Sequence, residues 1–134
     1  MQLIDKFRLS NLFEEAARSE RLRSHLLLHN SYQDRVQRLI IAMVQGSYVE
    51  PHYHVLPHQW EMFSVLEGVI NVTLHAINGE IISSFDAGPE EDVSLIEFAP
   101  GDIHSIECIS PSALLLEIKE GPFDPEYAKA FPKW

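Results

Sequence analysis

At 134 residues the chain fits one compact domain and leaves no room for separate catalytic and binding modules. With 46% apolar and 22% charged residues it reads as an ordinary folded protein, neither disordered, collagenous nor disulfide-stapled. A formal charge of −10, with no Lys/Arg-rich stretch to neutralise phosphates, argues against nucleic acid and against an anionic membrane surface as partners.

The single cysteine, Cys108, has no internal partner for a disulfide, and the opening stretch MQLIDKFRLS carries no long apolar run before a cleavage site. A cytoplasmic location is the expectation from these two features. Apolar runs such as Leu39 to Val44 are far shorter than the roughly 20 residues that a spanning helix requires.

In chain order, the first element predicted is a helix. Asn11 can cap it, Glu14 stands three residues on, and LFEEAARSERLR is rich in helix formers, with Leu12, Phe13, Ala16, Ala17 and Leu22 on the apolar side. From about Leu26 the pattern changes to short β-type runs: HLLLH, RLIIAMV, MFSVL, VINVTLHAI, EIISSF, VSLIEF, HSIECI and ALLLEI. Such a succession predicts a sandwich or barrel. Asn78-Gly79 predicts a two-residue hairpin with positive φ at both positions. DAGPEEDV reads as an exposed acidic loop, and the tail GPFDPEYAKAFPKW, with its prolines and aromatics, as a segment lying across the barrel. The expected organisation is one domain over 1–134: a helical arm (1–25), a β-barrel (26–120) and a C-terminal tail (121–134).

The chemistry is concentrated in GSYVEPHYHVLPHQWEMFSVLEG, residues 46–68. His52 and His54 are two apart, which in a strand puts both imidazoles on one face. Glu61 opens the next β-type run, and a hairpin could return its carboxylate beside them. In APGDIHSI a Pro-Gly turn precedes His104 and can aim a further imidazole inward. Three imidazoles and a carboxylate form a nitrogen and oxygen set suited to one divalent transition metal, Mn, Fe, Co, Ni or Zn. By the same alternation Tyr48 and Glu50 share the face of the histidines and are candidate catalytic groups, Tyr48 to orient a ligand or donate a proton and Glu50 to move one. Phe63 and Val65 share the face of Glu61.

The remaining titratable residues have more ordinary readings. His25, His29 and His75 read as surface or edge residues, and Cys108 as a buried structural thiol. Glu117 and Lys119 read as an ion pair on the last strand, while Arg35 and Arg38 follow a turn signal and could meet an anionic substrate or water.

The spacing from Gly46 through His52, His54, Glu61 and Gly68 to Gly101 and His104 resembles the two motifs of the cupin superfamily, a glycine, a His-x-His pair, a glutamate and a glycine, followed by a second segment with a Pro-Gly turn and histidine. The gap before Glu61 is longer than that pattern's, and Pro100 directly precedes Gly101; His58, inside the longer gap, is the alternative ligand to Glu61. LLLHNSYQDRVQRLIIAMVQGSYVEPHYH, HQWEMFSVLEG, FAPGDIHSI and LLLEIKEGPFDP look like the WbuC family of cupin-fold metalloproteins, in which the longer gap is usual. The resemblance implies an all-β, small double-stranded β-helix (cupin or jelly-roll) barrel with a short N-terminal helix, and a metal on His52, His54, Glu61 and His104. It also implies a setting in O-antigen or other surface-polysaccharide (lipopolysaccharide) metabolism. The function expected is that of a metalloprotein taking a small-molecule ligand or substrate, possible enzyme chemistry being on a sugar or sugar nucleotide. The alternatives are a non-catalytic metal-dependent binding protein and an Fe-dependent dioxygenase. Exposed barrel edges predict a homodimer.

Overall fold

The computed structural model describes all 134 residues. Helix α1 spans Lys6–Arg18 and begins a turn and a half before the predicted start. Its cap is Asp5, whose carboxylate accepts from the Arg8 N–H at 2.9 Å; Asn11 lies mid-helix and exposed. The earlier start is set by an apolar stripe that already includes Leu9 and continues through Leu12, Phe13 and Ala16 at helical spacing. Leu12 and Ala16 bury against Ile40, Ala42 and Leu114, whereas Ala17 is exposed. The helix therefore covers the outer face of one sheet.

Nine strands follow: β1 (Arg23–Leu27), β2 (Val36–Val44), β3 (Tyr48–His52), β4 (Glu61–Glu67), β5 (Ile70–His75), β6 (Ile81–Ala87), β7 (Leu95–Phe98), β8 (Ile103–Cys108) and β9 (Ser112–Glu120). β1 thus begins inside the stretch read as the arm. The strands form two sheets, β1-β2-β9-β4-β7 and β3-β8-β5-β6, with antiparallel pairing between neighbours. This is the all-β cupin or jelly-roll architecture. Inward residues such as Met43, Phe63, Ile70, Val72, Ile106 and Leu115 fill the space between the sheets. β2 reads as a continuous apolar run because both its faces are covered: Leu39, Ile41 and Met43 enter the core, and Ile40 and Ala42 meet α1.

The hairpin at residues 76–80 forms, with a different turn from the one predicted. Among non-glycine residues only Leu22 has positive φ, so Asn78 does not adopt it; Gly79 does, at +91°. The Gly79 N–H donates to the Ala76 carbonyl at 2.9 Å and the register shifts at His75, the marks of an ordinary turn closed by a glycine bulge. The tail lies across the barrel as expected. Phe123 N–H donates to the Tyr32 carbonyl, Gln59 reaches the Tyr127 carbonyl, Tyr53 and Ala130 exchange two backbone hydrogen bonds, and the Trp134 ring ends beside His75. No helix is long and apolar enough to cross a membrane.

Gly68, between β4 and β5, occupies a tight turn, with φ at +76° and a Cβ that would come within 2.0 Å of the Ser112 carbonyl oxygen. Gly68→Ala should destabilise the fold by about 3 kcal/mol, since backbone strain and the clash with β9 act together. The midpoint of urea unfolding measures it; an unchanged midpoint would show that β9 can yield at this point.

Candidate metal centre

The cluster forms at one end of the barrel, where the two sheets meet. His52 ends β3 and pairs directly with His104 on β8, while Glu61 begins β4 in the opposite sheet, paired with Phe98 and Lys119. His54 follows β3, held by the Gly101 N–H that donates to its carbonyl at 2.8 Å, so the Pro-Gly turn braces two of the four positions. One ligating atom from each of His52, His54, Glu61 and His104 lies within 4.8 Å of every other. His58 is not among them.

The imidazoles are oriented by backbone. Nδ1 of His52 donates to the Glu50 carbonyl at 2.8 Å and Nδ1 of His104 to the Asp102 carbonyl at 2.9 Å, since a carbonyl can only accept. Each Nε2 is thereby left as a lone pair facing inward. The His104 ring is fixed further by stacking on Phe98, centroids 3.7 Å apart. Glu61 Oε1 stands 2.9 Å from His104 Nε2 and 3.2 Å from His54 Nε2, and all three atoms are buried without a hydrogen-bond partner. For Glu61 and His104 the contact sets one lone pair against another. Such an arrangement is costly unless a cation lies among the donors. The donor set fits a divalent transition metal on that ground.

Electrostatics agree with a site prepared to coordinate. Burial, then the neighbouring His104, lowers His52 to about 4 against the opposing effect of the Glu50 carbonyl, so its ring is neutral at physiological pH. Burial disfavours ionisation of Glu61, but hydrogen bonding and charge from His104 and His54, when a proton sits on the facing Nε2, outweigh it and hold the carboxyl well below the usual range; a cation among the donors acts with the same sign.

The cluster opens into a cavity of about 290 Å³. Leu39, Ile41, Met43, Phe63, Ile106 and Leu115 supply apolar wall, with Glu117 and Lys119, 3.6 Å apart, beside the cluster. The Glu117–Lys119 pair is therefore present, but as part of the site. Glu117 is pushed up to about 8 by burial first and by the charge of Glu61 next, with Lys119 opposing.

Tyr48 and Glu50 are not in this cavity. The β3–β8 register shifts by one residue between Val49 and His52, a bulge that reverses the alternation: Val49 and His52 face inward, while Tyr48 and Glu50 are exposed. Strict alternation from His52 misplaces them for that reason. Arg35 is exposed, and Arg38 donates to the Leu28 carbonyl; neither lines the cavity. His25 and His29 do line it: His25 is exposed on the edge strand β1, in keeping with the surface or edge reading, whereas His29 is buried. Cys108 is buried in the core, its thiol raised by burial. Sequence reasoning missed Arg23, His25 and His29, though the alternation Arg23, His25, Leu27, His29 gives them one face, and all four line the cavity. It also missed Lys129, which reaches the cavity from the tail and left no local signal.

The fold is that of a cupin or jelly-roll barrel, and the cluster is a set of residues that could hold a metal ion. Residues 4–87, well over half the chain, match the family described as Domain of unknown function (DUF6016), and the protein belongs to that family. Among solved structures it is similar to the capsular polysaccharide assembling protein CapF from Staphylococcus aureus, with a TM-score of 0.69, 21% identity and 87% of this chain covered. It covers 33% of CapF, about a third of that protein's length. A cupin superfamily protein from Desulfitobacterium hafniense DCB-2 is similar over 73% of this chain and 76% of its own, at 19% identity and a TM-score of 0.57. Oxalate oxidase in complex with the substrate analogue glycolate aligns over 84% of this chain and 56% of its own, at 12% identity and a TM-score of 0.62. At these identities the likeness concerns the fold. No curated protein matches the sequence.

Proposed function

We propose that the chain is a single-domain metalloprotein that binds one divalent transition metal through His52, His54, Glu61 and His104 and acts on a small anionic metabolite in the adjoining cavity. The observation that carries this reading is the set of buried, unpartnered ligating atoms, facing one another in the lining of a largely apolar cavity. A metal bound there would supply Lewis acidity toward a carbonyl or hydroxyl of the substrate. The chain's own residues would do the rest. The apolar walls exclude water, Lys119 offers a positive charge to an anionic substituent, and Glu117, the buried carboxyl beside the cluster, holds or moves a proton. Tyr48 and Glu50, both exposed, are replaced in the proton-transfer role by Glu117.

The sequence resemblance to WbuC proteins supports placing the metabolite in surface-polysaccharide metabolism, and the name of CapF, a capsular polysaccharide assembling protein, points the same way. Isomerase, epimerase or lyase chemistry on a sugar derivative is the reaction class proposed.

Two measurements on protein purified without chelator test the reading. Elemental analysis should find about one equivalent of a transition metal, and protein loaded with Mn²⁺ should enhance the relaxation of water protons through an exchangeable coordination position. No metal even after incubation with excess ions would sink the metalloprotein reading. A bound metal with no exchangeable water would leave a structural ion and remove the enzymatic one.

A further inference from the structure

Beyond the metal cluster the cavity opens toward a second, shallower depression, and the two share Arg23, Val49 and Lys129 as their common boundary. Arg21 lines the outer depression, as do Tyr48 and Phe131, which are 53% and 52% exposed. We propose that Arg23 and Lys129, backed by Arg21, form a phosphate subsite at this junction. The ligand is then a phosphate ester whose reacting end lies at the His52, His54, Glu61, His104 cluster and whose ring rests on Tyr48 and Phe131. This rests on the metal reading for the position of the reacting end alone.

The charge distribution is the main argument. In a protein of net charge −10, cations of this kind would be expected to find carboxylates, yet neither Arg23 nor Lys129 takes part in an ion pair. Glu20 and Glu50 also line the outer depression, and neither pairs with them. Instead the cations crowd one another. Arg23 is held below its ordinary value by burial and then by Arg21; Lys129, whose side chain is exposed at the junction, is lowered by partial desolvation and then by Arg23, with Glu61 and Glu117 opposing. Collecting like charges at a cavity junction is unfavourable unless an anion offsets it.

Geometry selects the anion. Arg23 Nη1 is held by the carbonyls of Arg21 and Tyr48, at 3.4 and 3.3 Å, which orients the guanidinium and leaves its other nitrogens free of protein partners. An oriented guanidinium fork beside a lysine point charge and a second arginine exceeds what one carboxylate can offset and suits a phosphate or diphosphate. The two exposed aromatics line the outer depression and not the cavity of the cluster, so a ring attached through phosphate would lie on them.

Isothermal titration of the full-length, metal-loaded protein tests this with inorganic phosphate, pyrophosphate, uridine diphosphate and succinate as probes. Pyrophosphate should bind, and Arg23→Gln/Lys129→Gln should weaken it by about tenfold or more, whereas Lys6→Gln should not. Uridine diphosphate should bind more tightly than pyrophosphate, and Tyr48→Ala should remove that margin. Absence of pyrophosphate binding at millimolar concentration, or equal binding by the double variant, would overturn the subsite. Succinate binding as tightly, with the same dependence on Arg23 and Lys129, would overturn phosphate in favour of a dicarboxylate. A Tyr48→Ala protein that keeps the full margin would overturn the ring placement. Metal content measured on the same samples separates the two readings: pyrophosphate bound through Arg23 and Lys129 by protein that takes up no metal from excess ions would sink the metal reading and leave this one standing, and metal without anion binding would do the reverse.

Discussion

Glu61→Gln is expected to lower metal affinity on the order of 10²-fold or more, while His52→Ala/His104→Ala abolishes binding at any workable concentration. A four-ligand site worth about 10 to 16 kcal/mol assigns roughly 3 kcal/mol to each ligand, and each 1.4 kcal/mol is tenfold. The two variants answer different questions. Truncating His104 also removes a ring that is 1% exposed and stacked on Phe98, so the double variant should lose about 2 to 4 kcal/mol of stability through the cavity it leaves, with or without metal. Glutamine is nearly isosteric with glutamate, and its amide N–H can donate to the lone pair of His104 that Glu61 Oε1 faces at 2.9 Å. Metal-free Glu61→Gln should therefore stay folded, with stability within about 1 kcal/mol of metal-free wild type. Competition against a chromogenic chelator gives the affinities and thermal melts the stabilities. Wild-type affinity in Glu61→Gln would remove Glu61 from the ligand set and return attention to His58.

The second large effect is a fall in the stability of metal-free protein between pH 6.5 and pH 8. Glu117 is raised from its ordinary 4.5 to about 8, by burial and then by the charge of Glu61. Between those values the folded protein binds a proton that the unfolded chain does not. Its contribution is thus complete below the unfolded value and is lost as pH rises toward and through 8. His52 has the opposite sign: lowered to about 4, it costs stability only as pH falls below the ordinary value of 6.5, so above that value the slope belongs to Glu117. At 1.36 kcal/mol per unit, the window from 6.5 to 8 corresponds to roughly 2 kcal/mol. For a chain of this length that is a decrease in Tm of roughly 6 to 8 °C. Chelated wild type should show the decline and chelated Glu117→Gln a flat profile. A flat wild-type profile, or a slope that survives the substitution, would show that Glu117 is ionised or solvated in the folded state.

Much of the barrel was legible from local pattern. The β-type runs from His25 to Ile118 each contain or overlap an observed strand, because alternation and turn residues act over a few neighbours and leave their signature in sequence. β3 was legible only through its His-x-His pair, as Pro51 and the polar residues around it blur the alternation. The helix was read but capped in the wrong place, since Asp5 and Asn11 are both acceptable caps and only packing of Leu9, Leu12 and Ala16 on the sheet chooses between them. Likewise Asn78-Gly79 marked the hairpin, while the bulge at His75 decided the turn.

What the sequence determined by itself was the fold class and the identity of the four clustered residues, for their types and spacing follow from short segments of strand and turn. The tertiary structure decided which other groups accompany them. A one-residue bulge in β3 turned Tyr48 and Glu50 outward, cross-strand pairing brought Glu117 and Lys119 beside Glu61, and the course of the tail carried Lys129 to the cavity. Each depends on register or on contacts between segments far apart in the chain. A strand face is written in neighbouring residues, but a shift of one position against its partner reverses it, and that shift is fixed only when the sheets pair and pack.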